Sequence, residues 1–310
     1  MEMAIGCDVG KARIDVAVIG PEEKRWQLAN EVRAIESLAR SLAPHSLVGM
    51  ESTGTFHEKL ADALAAAGHE VFVINPRWIR AYARSIGTRG KSDRTDAMVI
   101  ARYVASEHQH LHRYTPPTAE LRELRSLIKR RQEAAKLAVA ARQSLGAESI
   151  DLLAAFKRLL KELEQRIAAL IKGNEEWKSL ASRLRKLPGV GILTAAQLVA
   201  TFTRTPFTNV DAFIAHTGLD PRPNDSGQKQ GRRRLTHHGS VALRCLLYMA
   251  AMAASRNAAW RPYYQAQKLK GLATTAAYVI LARKIARIAF SLFRTGQEYD
   301  ASLISTPAGA

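Results

Sequence analysis

The chain has 310 residues, of which 47% are apolar and 24% are charged, and its formal net charge at neutral pH is +18. This length is sufficient for two domains with cores of their own, and the apolar content excludes an intrinsically disordered protein. The excess of positive charge predicts a polyanionic partner such as nucleic acid, because a basic surface gains affinity for phosphate backbones by releasing counterions.

The positive charge is concentrated in the second half of the chain. Residues 1–110 contain 14 Lys/Arg and 14 Asp/Glu, residues 111–180 contain 14 and 9, and residues 181–310 contain 18 and 5. The last two segments therefore carry +5 (14 − 9) and +13 (18 − 5), which predicts that nucleic acid binds there. On charge alone, a basic protein of ribosomal type without catalytic function is the alternative.

The cysteines and the apolar segments indicate a cytoplasmic protein. Cys7 and Cys245 form no CxxC pair, which argues against a disulfide framework or a zinc ribbon and favours buried thiols in a reducing compartment. The first residues lack the pattern of a signal peptide. The apolar stretch 272–293 contains three basic residues, so no membrane span is predicted.

Strand-like and helix-like segments alternate over the first 110 residues. A hairpin turn is predicted at Gly10-Lys11-Ala12, between the first two strands. The predicted order is strands over 3–9, 13–19 and 26–30, a helix over 34–42, a strand over 47–51, a helix over 56–67, a strand over 71–74, and helices over 76–85 and 94–106. This alternation is typical of a partly parallel α/β sheet.

Four acidic residues stand at the tips of these segments. Asp8 and Glu51 end two apolar strands, and Asp93 and Asp96 begin a helix on one face. Carboxylates that converge from several elements can hold divalent metal for phosphoryl transfer. Individually, each acid also has a structural interpretation as a turn residue, a strand end or a favourable charge at a helix N-terminus. Their combined placement favours a metal site.

The middle of the chain is predicted to be helical. Thr115-Pro116-Pro117-Thr118 ends the first domain, and a helix is expected over 119–145. Nine of ten positions spaced three or four apart from Leu153 to Leu184 are apolar, as in a coiled-coil seam. The seam could join two subunits or fold back on the preceding helix, and Gly173-Asn174 is expected to interrupt it. The predicted domains are 1–115, a long-helix assembly region over 116–185, and a mostly helical domain over 186–310.

A glycine-containing turn near residue 190 is the second functional signal. In Leu187-Pro188-Gly189-Val190-Gly191, the glycines Gly189 and Gly191 precede a helix, where exposed backbone N–H groups can bind a phosphate. The segment looks like the hairpin of a helix-hairpin-helix module. An ordinary turn between packed helices is the alternative.

A serine near the start of an apolar helix is the third signal. Ser240 follows His237-His238-Gly239 and precedes the apolar run 243–254, so its simplest function is an N-cap. A nucleophilic serine would require a base or a metal nearby, and a histidine could supply the base. Arg244 lies one turn further on and could hold a phosphate. The basic residues Arg232, Arg233 and Arg234 are expected to contact nucleic-acid backbone.

Three blocks of the sequence resemble a known family. They are Ile5-Gly6-Cys7-Asp8-Val9-Gly10-Lys11, Met50-Glu51-Ser52-Thr53-Gly54 and Lys91-Ser92-Asp93-Arg94-Thr95-Asp96-Ala97. The order of these blocks is similar to that of the DEDD transposases of bacterial insertion sequences of the IS110 group and the related Piv-type DNA invertases. The resemblance covers nearly the whole chain.

The resemblance implies a fold, a metal and a nucleophile. It implies a RuvC-like, RNase H-type N-terminal domain in which the four acids Asp8, Glu51, Asp93 and Asp96 hold Mg²⁺. It also implies that Ser240 joins covalently to DNA, with the metal-bearing domain of one subunit completing the site of another in a dimer or tetramer. A non-coding RNA encoded by the element would select target and donor DNA.

The leading hypothesis is therefore a site-specific DNA recombinase that moves an insertion sequence. The second is a Mg²⁺-dependent nuclease for branched DNA, in which water is the nucleophile and Ser240 only a cap. The third is a non-catalytic nucleic-acid-binding protein. The sequence assigns no function to His237 and His238.

Overall fold

The computed structural model describes residues 3–52, 54–87, 93–222, 234–236 and 238–304, except for the side chains at positions 93–95, 222, 234 and 303. The chain divides into two compact units, Met1–Pro116 and Pro117–Ala310. The boundary between them lies within Thr115-Pro116-Pro117-Thr118, where the sequence predicts the end of the first domain.

The first unit alternates strands and helices in the predicted manner. Its elements are β1 (Ala4–Val9), β2 (Arg13–Ile19), β3 (Lys24–Ala29), α1 (Val32–Ser41), β4 (Leu47–Glu51), α2 (Glu58–Ala66), β5 (Glu70–Ile74), α3 (Pro76–Ser85), α4 (Asp93–Glu107) and a 3-10 helix (His108–His110).

These strands form one mixed sheet in the order β3-β2-β1-β4-β5. The first three strands are antiparallel neighbours, whereas β1 pairs in parallel with β4, and β4 in parallel with β5. The prediction of a mixed α/β domain with a partly parallel sheet is confirmed, and the architecture is consistent with an RNase H-like DEDD domain.

Helices cover both faces of the sheet, because successive strand residues point to opposite sides. On one face, Cys7 and Met50 pack with Ile35 of α1 and Leu64 of α2. On the other face, β-strand residues such as Phe72 pack with α3 and α4. The even-numbered residues of β1, including Gly6 and Asp8, point to the α4 side.

Local sequence explains why the helices begin where they do. Pro76 occupies the first turn of α3, and the Asn75 side chain accepts a hydrogen bond from the Arg77 backbone N–H at 3.0 Å. The helix predicted from residue 56 begins at Glu58, because the preceding residues form a turn. The α4 helix begins at Asp93, one residue before its predicted start.

The second unit is mostly helical. Its elements are α5 (Ala119–Leu145), a 3-10 helix (Gly146–Ser149), α6 (Ile150–Gly173), α7 (Glu175–Arg185), α8 (Ile192–Arg204), α9 (Val210–Thr217), β6 (Pro221–Arg222), β7 (Arg234–Leu235), α10 (Val241–Ala254), α11 (Arg261–Leu269), α12 (Thr274–Thr295) and a 3-10 helix (Ala301–Ile304).

The predicted apolar seam is divided between α6 and α7. The Asn174 side chain caps α7 by accepting a hydrogen bond from the Trp177 backbone N–H at 3.0 Å, so the chain breaks at the expected Gly-Asn pair. Leu163 and Ile167 are buried in one core with Leu124 of α5. The seam therefore folds back within the chain, and its use between subunits stays a prediction.

One core runs through the second unit. It contains the buried residues of α5, α6 and α7 together with those of α8 to α12. Phe202, Phe213 and Phe290 form its aromatic centre, with ring centroids 4.8 to 6.1 Å apart. The separate domains predicted over 116–185 and 186–310 stay a prediction. Among the helices that the structure describes, none has the length and apolarity required to cross a membrane.

Candidate functional site

Two glycines bring α4 directly onto the sheet. Gly6 of β1 and Gly49 of β4 are paired in register. A Cβ atom on Gly6 would lie 2.0 Å from the Ala97 carbonyl oxygen, and one on Gly49 would lie 2.3 Å from Val104 Cγ2. We call this pair the glycine cradle. It fixes the height of α4 above the sheet, because no larger side chain fits beneath the helix.

The cradle packs α4 against two parallel strands close to their carboxyl ends. Asp8 and Glu51 directly follow Cys7 and Met50, the last residues paired between β1 and β4, and both acids are half-buried. Each lies two residues beyond a cradle glycine and hence on the α4 face. Asp96, also half-buried, directly precedes Ala97, the residue that lies over Gly6. Three predicted acids thus lie on one side of the sheet.

The predicted metal ligands are described only in part. No group of three or more His, Cys, Asp or Glu residues in the described part of the chain is arranged to hold a metal ion. Asp93 begins α4, but its side chain lies outside the described residues. The described members of the predicted set, Asp8, Glu51 and Asp96, are carboxylates on one face of the sheet, and oxygen ligands of this kind suit a hard divalent cation.

A further acid lies opposite Asp8. Asp15 of β2 is the cross-strand partner of Asp8, and two carboxylates in register destabilise an antiparallel pair. The Gln27 amide nitrogen donates hydrogen bonds to both Asp15 oxygens, at 3.1 and 3.2 Å. A cavity of about 300 Å³ lies here, lined by Asp15, Val16, Arg25, Trp26, Gln27 and Ala97. Asp15 is not among the predicted site residues, although the hairpin turn at 10–12 implies its pairing with Asp8.

The neighbouring thiol is excluded as a ligand. Cys7 is completely buried on the opposite face of the sheet, so the prediction of a buried thiol is confirmed there, whereas it is wrong for Cys245, which is exposed. Burial, with a smaller contribution from the Asp8 carboxylate, raises the pKa of Cys7 to about 12. The thiolate that a metal or an electrophile requires is therefore disfavoured.

In the second unit, Ser240 caps α10. Its Oγ accepts a hydrogen bond from the Leu243 backbone N–H at 3.3 Å, and its own backbone N–H donates to the His216 carbonyl at 3.0 Å. A Cβ on Gly239 would lie 1.9 Å from the same carbonyl. The start of α10 is therefore pressed against the end of α9, and the capping interpretation is confirmed.

Hydrogen bonds connect the residues around Ser240, which include one guanidinium group. Arg244 donates from Nη1 to the Thr217 carbonyl at 3.3 Å. Thr236 bonds to Asp220 through both backbone and side chain, just after β7. Burial lowers the pKa of His216, whose ring lies edge-on to a phenylalanine. Ser240 thus occupies a helix N-terminus that favours negative charge, with a guanidinium one turn away.

The other predicted contacts are described only in part. Arg232, Arg233 and His237 lie outside the described residues, as does the Arg234 side chain, although Arg234 begins β7. His238 is exposed, and its backbone N–H donates to the Thr236 hydroxyl at 3.4 Å.

The turn at residues 189–191 has a structural explanation. Gly189 has a φ of +85°, and a Cβ there would lie 2.1 Å from the Ala250 carbonyl of α10. A glycine is therefore required at position 189 both by the packing against α10 and by the positive φ. Gly191 precedes α8 without a side-chain cap, in open space. Phosphate binding at Gly189 and Gly191 stays a prediction.

Two family models match the chain in succession. A DEDD transposase model of the IS110 type matches residues 5–148, and a model described as "Transposase IS116/IS110/IS902 family" matches residues 181–265. The chain belongs to the IS110 family of transposases. The first match contains the glycine cradle and all four predicted acids, and the second contains Ser240.

Individual relatives of this family extend over most of the chain. The pilin gene-inverting protein of Moraxella bovis is 28% identical over 96% of this chain and 97% of its own length. The transposase for insertion sequence element IS1328 of Yersinia enterocolitica is 26% identical over 83% and 86%. The transposase for insertion sequence element IS1111A of Coxiella burnetii is 28% identical over 73% and 72%. This IS110-family chain is therefore a DNA transposase or recombinase. Its DEDD domain is of a type that typically depends on a divalent metal.

Proposed function

We propose that the chain is a site-specific recombinase of an insertion sequence, with Ser240 as nucleophile and a magnesium site at Asp8, Glu51, Asp93 and Asp96. The observation that carries this proposal is the glycine cradle, which packs α4 against β1 and β4 two residues before Asp8 and Glu51. Glycine within a strand weakens it, so two glycines beneath one helix indicate that the position of α4 is important.

The proposed metal ligands come from the same side of the sheet. Asp8 and Glu51 end neighbouring parallel strands, and Asp93 and Asp96 supply carboxylates from the first turn of α4. When bound, Mg²⁺ offsets the negative charge that develops on the reacting phosphate. The cross-strand repulsion between Asp8 and Asp15 supports a cation here, because a positive charge nearby would relieve it.

The serine step is a transesterification. The Ser240 Oγ attacks a DNA phosphorus, a P–Oγ bond forms, and the bond from phosphorus to the 3′ oxygen breaks. The hydroxyl proton of Ser240 ends on the released 3′ oxygen, which leaves a phosphoserine link and a free 3′-hydroxyl. The α10 N-terminus favours the attached phosphate, and Arg244 can donate a hydrogen bond to it. Strand exchange reverses the step.

The partners follow from charge and from the family. Target and donor DNA would bind the second unit, because residues 181–310 carry +13 (18 − 5). An element-encoded guide RNA is proposed to bind the same basic surface, and a homodimer or tetramer is proposed to pair the serine of one subunit with the acids of another. If ribonuclease treatment of purified protein leaves DNA rearrangement unchanged, the guide RNA is refuted.

The decisive experiment separates the nucleophile from the cap. Ser240→Ala removes both functions, whereas Ser240→Asn keeps a good N-cap but has no hydroxyl, since Asn caps about as well as Ser. We expect wild-type protein to form a covalent adduct with DNA that survives a denaturing gel, and both variants to form none. Ser240→Asn should unfold at the wild-type temperature. An adduct in Ser240→Asn would refute the serine mechanism.

A metal-dependent nuclease is the second candidate, and the cap contact of Ser240 favours it. If Ser240→Asn cleaves branched DNA at the wild-type rate without an adduct, water is the nucleophile. Asp8→Asn combined with Glu51→Gln should abolish cleavage under both mechanisms. Unchanged DNA rearrangement by that double variant would leave only nucleic-acid binding.

A further inference from the structure

Three tyrosines form a cluster at the surface of the second unit. Tyr264 of α11 stacks on Tyr278 of α12, with ring centroids 5.2 Å apart and planes at 14°. Tyr248 of α10 meets Tyr278 edge-on at 5.7 Å and 85°. We call these three residues the tyrosine cluster.

The tyrosine cluster differs from the aromatic centre of the core. Phe202, Phe213 and Phe290 are at most 7% exposed. Each cluster tyrosine is instead half-buried, and only Tyr264 packs against the core. Tyr264 thus anchors the cluster, whereas Tyr248 and Tyr278 lie outside the buried core. Partly exposed rings held by their neighbours lose little conformational entropy when a flat ligand stacks on them.

The cluster is aligned with Ser240 along α10. Ser240, Arg244 and Tyr248 are spaced by four residues, and residues four apart lie on one face of a helix. At a rise of about 1.5 Å per residue, Tyr248 lies about 12 Å along the axis from Ser240. The hydroxyl, the guanidinium and the aromatic ring therefore follow one another along a single stripe.

The charge around the cluster suits a polyanion. Residues 238–304 contain nine Lys/Arg and two Asp/Glu. Lys268, one turn after Tyr264, is held at the start of α12 by hydrogen bonds to the Leu272 carbonyl at 2.9 Å and the Thr274 hydroxyl at 3.2 Å. Aromatic rings interleaved with fixed cations are the features by which proteins bind single-stranded nucleic acid, the bases stacking and the backbone tracking the charge.

We propose that the tyrosine cluster binds unpaired bases of the DNA strand that is joined to Ser240. This assignment deepens the proposed function and rests on it for the position of the strand. Duplex DNA hides the faces of its bases, so the cluster selects a strand that has been opened. It would hold the nucleotides next to the bonded phosphate while the partner strand is exchanged.

Paired substitutions separate stacking from packing. Tyr248→Leu and Tyr278→Leu keep apolar volume but lose the ring, whereas Tyr248→Phe and Tyr278→Phe keep the ring. Tyr103→Leu is the matched control, because Tyr103 is also half-buried and has a tyrosine edge contact, at 5.2 Å, in the other unit. Thermal unfolding of each variant identifies any that fail to fold.

The probes are an oligothymidylate and an abasic strand of the same length, with binding followed by fluorescence anisotropy. Loss of one stacked base weakens binding by roughly 5- to 150-fold, so the Leu variants should lose that factor for oligothymidylate. Their affinity for the abasic strand should be unchanged. The Phe variants and Tyr103→Leu should bind both strands like the wild type.

The opposite results would overturn the proposal. If folded Leu variants bind oligothymidylate as tightly as the wild type, or lose equal affinity for both strands, the cluster serves packing alone. Binding by Ser240→Asn shows whether the tyrosine cluster stacks on bases independently of the serine mechanism. A normal preference for oligothymidylate in Ser240→Asn supports the cluster whether or not the wild type forms an adduct, and loss of that preference counts against it.

Discussion

Substituting Gly6 by alanine should move α4 and thereby displace Asp93 and Asp96 relative to Asp8 and Glu51. The added Cβ would lie 2.0 Å from the Ala97 carbonyl oxygen and 2.5 Å from the Ala101 backbone nitrogen. Ordinary contact begins at 3.4 Å, so the helix must move by about 1.4 Å (3.4 − 2.0). Overpacking of this kind costs about 1–3 kcal/mol. A displacement of that size at a catalytic group costs about 100-fold in rate.

Two assays measure these effects separately. Thermal unfolding of the first unit should shift down by roughly 4–8 °C for each kcal/mol lost, because a domain of this size has a small unfolding entropy. DNA rearrangement should fall further than stability explains, since the displaced helix carries Asp93 and Asp96.

Gly49→Ala provides the matched control. Its Cβ would meet Val104 Cγ2 at 2.3 Å, which is a side-chain atom. Adding Val104→Ala should therefore restore part of the stability and activity of Gly49→Ala. No side-chain change can relieve Gly6→Ala, because its two nearest contacts are with backbone. Wild-type stability and activity in Gly6→Ala would refute the idea that the glycine cradle positions the site.

Three other predictions follow from single residues. Gly189→Ala should destabilise the second unit by more than about 1 kcal/mol in denaturant unfolding, because alanine is strained at this positive φ and would overlap the Ala250 carbonyl. A thiol reagent at mildly alkaline pH should label one cysteine per native chain, and Cys245→Ser should abolish labelling, because Cys245 is exposed while Cys7 is buried with a pKa of about 12. Burial lowers the pKa of His216 below its usual 6.5, so the unfolded chain takes up a proton first as the pH falls. Stability should therefore decline below about pH 6.5, and His216→Gln should reduce the decline in pH-dependent denaturant unfolding; an unchanged slope would contradict it.

Local patterns in the sequence predicted most of the fold. The helix over 119–145 and the strand over 47–51 have the predicted bounds, and the break at Gly173-Asn174 coincides with a cap. These features depend on hydrophobic periodicity and on residues close in the sequence, and both can be read from one sequence alone.

The candidate site was predictable in its residue types but not in its geometry. Asp8, Glu51 and Asp96 could be singled out because each stands at the end of an element. A glycine within a strand, however, indicates only a weak strand position until the helix above Gly6 is known. The reason for Gly189 is likewise hidden in the sequence, because its nearest contact lies in α10, about 60 residues further along the chain. Contacts between distant segments leave no local pattern.

The short β6–β7 ladder has a consequence for how the second unit can vary. Arg222 and Arg234 are cross-strand partners, and the Thr236–Asp220 bonds close the same junction beside Ser240. The backbone segments on either side of residues 223–233 are thus hydrogen-bonded to each other. We expect this pairing to keep Ser240 in place when the number of residues between Arg222 and Arg234 is changed, by natural insertion or by an engineered reporter.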